Sequence, residues 1–244
     1  MKTIVVKVGS STVADDHLRL RRRLLAGLVS DIAGLVHGGR RVVLVSSGAI
    51  ACGQHVLGVK ERPRQVPALQ AASAVGQGRL FAHYERLFGD HELTAAQVLL
   101  TSEDFNRRSS YVNARNTLRR LLSWGVVPVV NENDTTATDE IRFGDNDVLA
   151  AQVAIMLRAD HLVLLTDQDG LYTADPRRDG SAELVRRVTD PAQLAALQVG
   201  DASRRGAGGM RGKTAAALMA AAADVRTVIA NGSMPGVLSA AVTG

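Results

Sequence analysis

Residues 131–147 read NENDTTATDEIRFGDND, a stretch of carboxylates and carboxamides with few side chains able to build a core. It offers many hydrogen-bond acceptors and a few donors. That set suits an amino acid, whose ammonium group needs acceptors. An apolar, strand-like run at 126–130 leads in, and a helical run at 148–157 follows. Pinned at both ends, the segment reads as a substrate-facing hairpin or loop rather than a connector. A solvated surface loop is the plain alternative.

Two lysines stand beside glycine-rich backbone. Lys7 closes a β-branched run and is followed by Gly9, Ser10 and Ser11. A lysine in a buried strand is unfavourable unless its ammonium meets an anion. A phosphate is a natural partner, with backbone N–H groups sharing the load; a strand-end lysine reaching solvent is the alternative. Lys213 follows Gly206, Gly208, Gly209 and Met210 and stands one turn into an Ala-rich helix. The glycine spacing is not that of a Walker loop, and a flexible linker before a helix is the plain reading. Ser46, Ser47 and Gly48 place hydroxyls and free N–H groups at a helix start. That is an anion site or ordinary N-capping, and one serine can cap while its neighbour binds. Thr166, Asp167 and Tyr172 lie in a turn-rich segment after a buried strand. Asp167 could accept from a nucleobase or ribose, and Tyr172 could flank a base.

Two lysines, two glycine-rich loops and several carboxylates fit phosphoryl transfer. In that chemistry the lysines offset charge on the transferring group, Mg2+ bridges nucleotide phosphates and the protein positions the reactants. No His/Cys cluster has metal-ligand spacing, and no serine–histidine–aspartate arrangement is evident.

The elements that must hold these residues alternate. Strands are expected at 3–8, 42–45, 95–100, 126–130, 161–165, 183–188 and 227–230. Helices are expected from Asp15 or Asp16 to about Val36, from Ser46–Ala49 onward, and over 68–88, 113–123, 148–157 and 210–223. Gly76 and Gly78 are read as weak points of the long helix. Alternation of this kind implies a mostly parallel sheet covered on both faces. In such sheets ligands lie beyond the carboxyl ends of the strands, and the unusual segments all fall there, after Val8, Val45, Val130 and Leu165.

The chain has 244 residues, 46% of them hydrophobic and 22% charged, which is ordinary for an α/β enzyme of one large domain. Aromatics make up only 3%, so stacking platforms for single-stranded nucleic acid are poorly supported. The net charge of +5 allows a polyanionic partner, but the arginines are dispersed in pairs and short runs. Cys52 is the sole cysteine. That fits a reducing, cytoplasmic setting; the start at Met1–Ile4 lacks a signal-peptide layout and no apolar run reaches membrane-spanning length, so neither is expected.

Ten stretches together, VVKVGSS, VSSGAIACG, VGQGRL, QVLLT, NARNTL, VVPVVNENDT, EIRFGDND, LLTDQDGLYTADPR, GAGGM and ANGSMPGV, closely resemble the glutamate 5-kinase branch of the amino acid kinase family. The resemblance covers almost the whole chain in family order. It implies a three-layer α/β/α sandwich around a mostly parallel central sheet. It further implies ATP-dependent phosphorylation of the γ-carboxylate of L-glutamate in proline biosynthesis. Carried over by position, Ser47, Asp134 and Asn146 are implied to bind glutamate, with Asn131 and Asp145 supporting them. Lys7, Gly9, Ser10, Thr166, Asp167, Tyr172, Gly208, Gly209, Met210 and Lys213 are implied nucleotide contacts. Lys7 and Lys213 would stabilise the transferring phosphoryl group, and Asp147 would orient them. ATP with Mg2+, proline feedback inhibition and a homodimer or homotetramer are further implications; a nucleic-acid partner is not expected. The chain departs from the family's loop at Ala207 and Gly212, where threonine is usual, and at Arg142, where lysine is frequent. Many members carry a C-terminal RNA-binding-like PUA domain. A single kinase domain over 1–244 without it is the expectation here. A sister kinase acting on acetylglutamate, aspartate or carbamate is the first alternative, and a non-catalytic amino-acid-sensing or RNA-binding domain the second.

Overall fold

A computed structural model describes residues 1–136, 146–174, 176, 179–190, 193–194 and 209–243. Six strands form one sheet in the order β3-β4-β2-β1-β5-β8, every neighbouring pair parallel. They are β1 (Thr3–Val8), β2 (Arg41–Ser46), β3 (Ala95–Leu100), β4 (Val127–Glu132), β5 (His161–Thr166) and β8 (Arg226–Asn231). β1 lies at the centre, with Lys7 in register with Val45 of β2 and Leu164 of β5. A lysine there has strands on both sides.

Strand alternation splits the side chains between two layers. Ile4, Val6 and Val8 enter one core with Leu25, Val29 and Ile32 of α2 (Arg22–His37), Leu80, Tyr84 and Phe88 of α4 (Val66–Gly89), and Leu238 of α9 (Val237–Thr243). Val5, Val43 and Val45 enter the other. They meet Leu118 and Leu122 of α6 (Arg108–Ser123), most of α7 (Asn146–Leu157), and Ala216 and Ala220 of α8 (Met210–Ala221). The result is the three-layer α/β/α sandwich. α7 is buried on nearly every side because the sheet lies beneath it and α6 and α8 flank it. This explains its lack of a polar face. By alternation Lys7 shares the face of Val5 and therefore points toward α7.

The structure differs from expectation in several elements. No helix begins at Asp15 or Asp16. The Asp15 carboxylate instead accepts the N–H groups of His17 and Arg19, each at 2.9 Å, and closes a loop after the short α1 (Ser10–Val13), so α2 starts at Arg22. An Asp side chain that satisfies nearby N–H groups competes with helix initiation. Gly76 is not a weak point. A Cβ at Gly76 would fall 1.9 Å from the Ala49 carbonyl oxygen, and one at Gly53 would fall 1.7 Å from that of Ala72. The two glycines let α4 cross α3 (Ala49–Leu57) backbone to backbone. α6 begins at Arg108, five residues before the expected start, and α5 (Ser102–Asn106) and α9 were not foreseen. The strand expected over 183–188 shrinks to β7 (Leu184–Val185), paired antiparallel with β6 (Leu171–Tyr172). No helix of the described residues is long and apolar enough to cross a membrane.

Candidate active site

The two lysines converge. Lys7 Nζ lies 2.5 Å from Asp147 Oδ1, and Lys213 Nζ lies 3.1 Å from Asp147 Oδ2. The three side chains are 3%, 7% and 0% exposed, so water screens none of these charges. Asp147 occupies the first turn of α7, where the helix dipole favours an anion. Burial pushes its carboxyl group up, but the ammonium groups of Lys7 and then Lys213 outweigh this and hold it below the ordinary carboxylate range. Lys213 sits in the first turn of α8, whose N-cap Gly209 is extended and receives no side-chain bond. A carboxylate thus clamps two cations from opposite ends of the sequence at the carboxyl edge of the central strands.

Beside this clamp lies a cavity of about 270 Å³. Ser10, Ser47, Asn131, Asp134 and Asn146 line it together with the start of α3. Asn131 ends β4 and Asn146 opens α7. Asn146 Nδ2 donates to Asn131 Oδ1 at 2.6 Å and to the Ser46 carbonyl at 2.7 Å, tying three elements together. Its Oδ1 is buried and, like Ser47 Oγ, finds no partner among the described residues. Two orphaned polar atoms on a cavity wall mark a place for a polar ligand. Neither Ser46 nor Ser47 caps α3, so the ordinary N-capping alternative does not hold: the N-cap is Gly48 at φ 104°, with no side-chain bond. Glycine is needed there, since a Cβ would lie 2.6 Å from Val13 Cγ1. The first N–H groups of α3 are left uncapped by side chains at the cavity wall. Ser46 Oγ meets Tyr84 Oη at 2.9 Å instead.

Asp134 places a buried negative charge on the cavity wall and is 5% exposed. Burial raises its pKa; the Ser73 hydroxyl and the charge of Arg62 work against that rise. Ser73 Oγ donates to Asp134 Oδ2 at 2.5 Å. One turn along α4, Gln77 Nε2 donates to the Glu132 carbonyl at 2.9 Å, and Gln77 Oε1 accepts from Asn131 Nδ2 at 3.1 Å.

On the other side of β1 the ends of β5 and β8 form a second group. Thr166 Oγ1 donates to Asp167 Oδ1 at 3.2 Å, the Gly232 N–H bonds the Thr166 carbonyl at 2.9 Å, and Asn231 Nδ2 donates to Asp169 Oδ1 at 2.9 Å. Tyr172 is half-buried in the β6–β7 hairpin. Gly9 sits between; among the described residues an added Cβ would make ordinary contact with Lys7 Nζ at 3.8 Å and the Leu165 carbonyl oxygen at 3.9 Å. Gly209 and Met210 begin α8. Asp145, Gly208, Ala207 and Arg142 lie outside the described residues. Among the described residues no group of three or more His, Cys, Asp or Glu side chains could hold a metal ion.

The profile of the amino acid kinase family matches residues 2–231. The chain belongs to the amino acid kinase family. Its relatives include the glutamate 5-kinases of Paraburkholderia phytofirmans, 50% identical over 244 residues, and Methylobacillus flagellatus, 50% identical over 239. Another is that of Myxococcus xanthus, 47% identical over 244 residues. These matches cover 97–100% of this chain and 64–66% of the relatives, so the chain spans just under two thirds of their length. Among solved structures, UMP kinase from Bacillus anthracis superposes with a TM-score of 0.65 at 19% identity, covering 97% of this chain and 90% of that one. That likeness concerns the fold. In this kinase-family chain Lys7, Asp147 and Lys213 stand together, as do Ser47, Asn131, Asp134 and Asn146.

Sequence reasoning missed Ser73, Gln77 and Arg62. Ser73 was detectable in principle: with Leu69, Ala72, Gly76 and Leu80 it falls on the apolar face of α4, where a serine is the polar exception. Arg62, in the irregular segment between α3 and α4, carries no such signal.

Proposed function

We propose that the chain transfers the γ-phosphoryl group of ATP to the γ-carboxylate of L-glutamate, giving L-glutamyl 5-phosphate and ADP. The observation that carries this reading is the adjacency of two parts. One is a cavity with a buried carboxylate, two amides and an orphaned hydroxyl. The other is a pair of lysines held on one aspartate. Asp134 supplies the acceptor that a substrate ammonium needs, and the uncapped start of α3 with Ser47 supplies donors for a carboxylate. The cavity's lining of Asp134, Asn131 and Asn146 suits the ammonium of an amino acid, which needs acceptors, and suits a second nucleotide poorly.

The γ-carboxylate is ionised at neutral pH, so no general base is required. Its oxygen attacks the γ-phosphorus, an O–P bond forms, and the bond to the bridging oxygen breaks as ADP leaves. Negative charge grows on the bridging oxygen and spreads over the equatorial oxygens. Lys7 and Lys213 stand where they can offset it, held in place before the reaction by Asp147 so that little reorganisation is needed. Mg2+ bound to the nucleotide would add charge neutralisation between the phosphates. Thr166, Asp167 and Tyr172 offer contacts to the nucleoside side.

The test is a coupled ADP-release assay with glutamate and Mg-ATP, alongside hydroxamate trapping across a panel of acids. Lys213→Ala is the control and is expected to lose at least about 100-fold in kcat. Hydroxamate from acetylglutamate or aspartate but none from glutamate would reject the substrate assignment and keep the kinase.

A further inference from the structure

Asp134 is the acceptor on which recognition of an ammonium group rests, and its geometry is set from a helix outside the cavity wall. Ser73 is 0% exposed on α4, and its hydroxyl reaches Asp134 at 2.5 Å across 61 positions of sequence. Its neighbours on that face are Ala72 and Gly76, the residues at which α4 meets the backbone of α3. Ser73 is therefore mounted where the backbones of α3 and α4 are in direct contact. A buried hydroxyl is unfavourable in such a place unless bonded, and the bond it makes is to a buried carboxylate of the cavity lining.

We propose that Ser73 is a positioning residue: it fixes the rotamer of Asp134 and keeps that carboxylate aimed at the substrate's ammonium group, and so sets amino-acid affinity and its lower pH limit. This rests on the reading of the chain as an amino acid phosphotransferase. The pH limit follows from what surrounds Asp134. Burial favours its neutral form, while the Ser73 hydroxyl and Arg62 favour the charged form. The other charged groups on the cavity are Lys60 beside Arg62, and Asp15 and Asp16 on the loop after α1. Asn131 and Asn146 carry no charge, and Glu132 lies buried two positions before Asp134 on β4. Removing the Ser73 hydroxyl takes away one of the two groups that oppose the effect of burial. Asp134 then protonates at a higher pH, and the protonated form cannot hold an ammonium.

Steady-state kinetics of Ser73→Ala with glutamate, run from acid to neutral pH, test this. The KM for glutamate is expected to rise about tenfold, the loss of one hydrogen bond to a charged group, with kcat within about twofold of the unaltered chain. The acid limb of kcat/KM is expected to move up by about one pH unit. In an Asp134→Asn background the same substitution must leave the acid limb in place. Thermal melting of each variant separates these effects from loss of fold. An unaltered chain inert toward glutamate overturns the functional reading and this inference with it. An active chain whose KM and acid limb ignore Ser73→Ala overturns this inference alone, as does a variant that merely loses kcat in step with its melting temperature.

Discussion

Replacing Asp147 by Asn should cost the protein both stability and turnover, and the nucleotide should restore much of the stability. At 2.5 and 3.1 Å from the carboxylate oxygens, each ammonium gains about 5–7 kcal/mol of gross attraction at the effective dielectric suited to proteins. Most of that is offset by the cost of burying three charges. The substitution leaves the burial cost in place and removes the compensation, so two like charges face each other with the anion gone. Breaking a buried pair in this way costs about 3–5 kcal/mol, a fall in melting temperature on the order of 10 °C for a chain of this size. The lysines also lose their fixed positions, and kcat should fall at least about 100-fold. Differential scanning calorimetry with and without Mg-ATP is the assay. Triphosphate oxygens can replace the lost carboxylate, so the variant should gain more in melting temperature from Mg-ATP than the unaltered chain does. The pH dependence has a definite sign. Asp147 titrates below the ordinary range, because the lysines outweigh burial. Its contribution is therefore complete above the unfolded carboxylate value of about 3.9 and is lost as pH falls through the lower folded value. The stability gap between unaltered chain and variant should narrow in that acid window and be flat above it. An Asp147→Asn protein that melts like the unaltered chain at neutral pH, or gains no more than it does from Mg-ATP, would refute the reasoning.

Gly76→Ala should destabilise the chain by about 1–3 kcal/mol or more through overpacking, because its Cβ would sit 1.9 Å from the Ala49 carbonyl. Melting should show the loss, and a raised KM for glutamate should accompany it as the start of α3 shifts. Gly212→Thr and Ala207→Thr supply the hydroxyls that the family's loop usually carries. Each should tighten apparent ATP affinity by up to about tenfold, the value of one hydrogen bond to a charged group; titrations unchanged in both would remove these hydroxyls from the account.

Local pattern determined a good deal of this molecule from the sequence alone. Short apolar runs bounded by turn-forming residues read as strands, so β1, β2, β4, β5 and β8 were legible to within two residues at either end. Their alternation with helices implied the parallel sheet and placed chemistry at its carboxyl edge. Lys7, Ser47 and Lys213 could be singled out because polar or charged groups beside buried strands and glycine turns need a reason to be there; Asn131, Asp134 and Asn146 were named individually by the family resemblance, within a segment whose polarity already marked it. Short or polar-faced elements were not legible. α5 and α9 are too brief to show a period, the Arg-Ser-Ser start of α6 has no apolar face, and the Asp15 carboxylate made a loop where capping was expected. Only the tertiary structure decided which distant residues meet. Asp147 and Lys213 are 66 positions apart, and Ser73 and Asp134 are 61 apart. No local preference encodes such contacts, because they depend on strand order and on two helices crossing through paired glycines. The same crossing turned Gly76 from an apparent defect of a helix into the point where α3, and with it the cavity wall, is held.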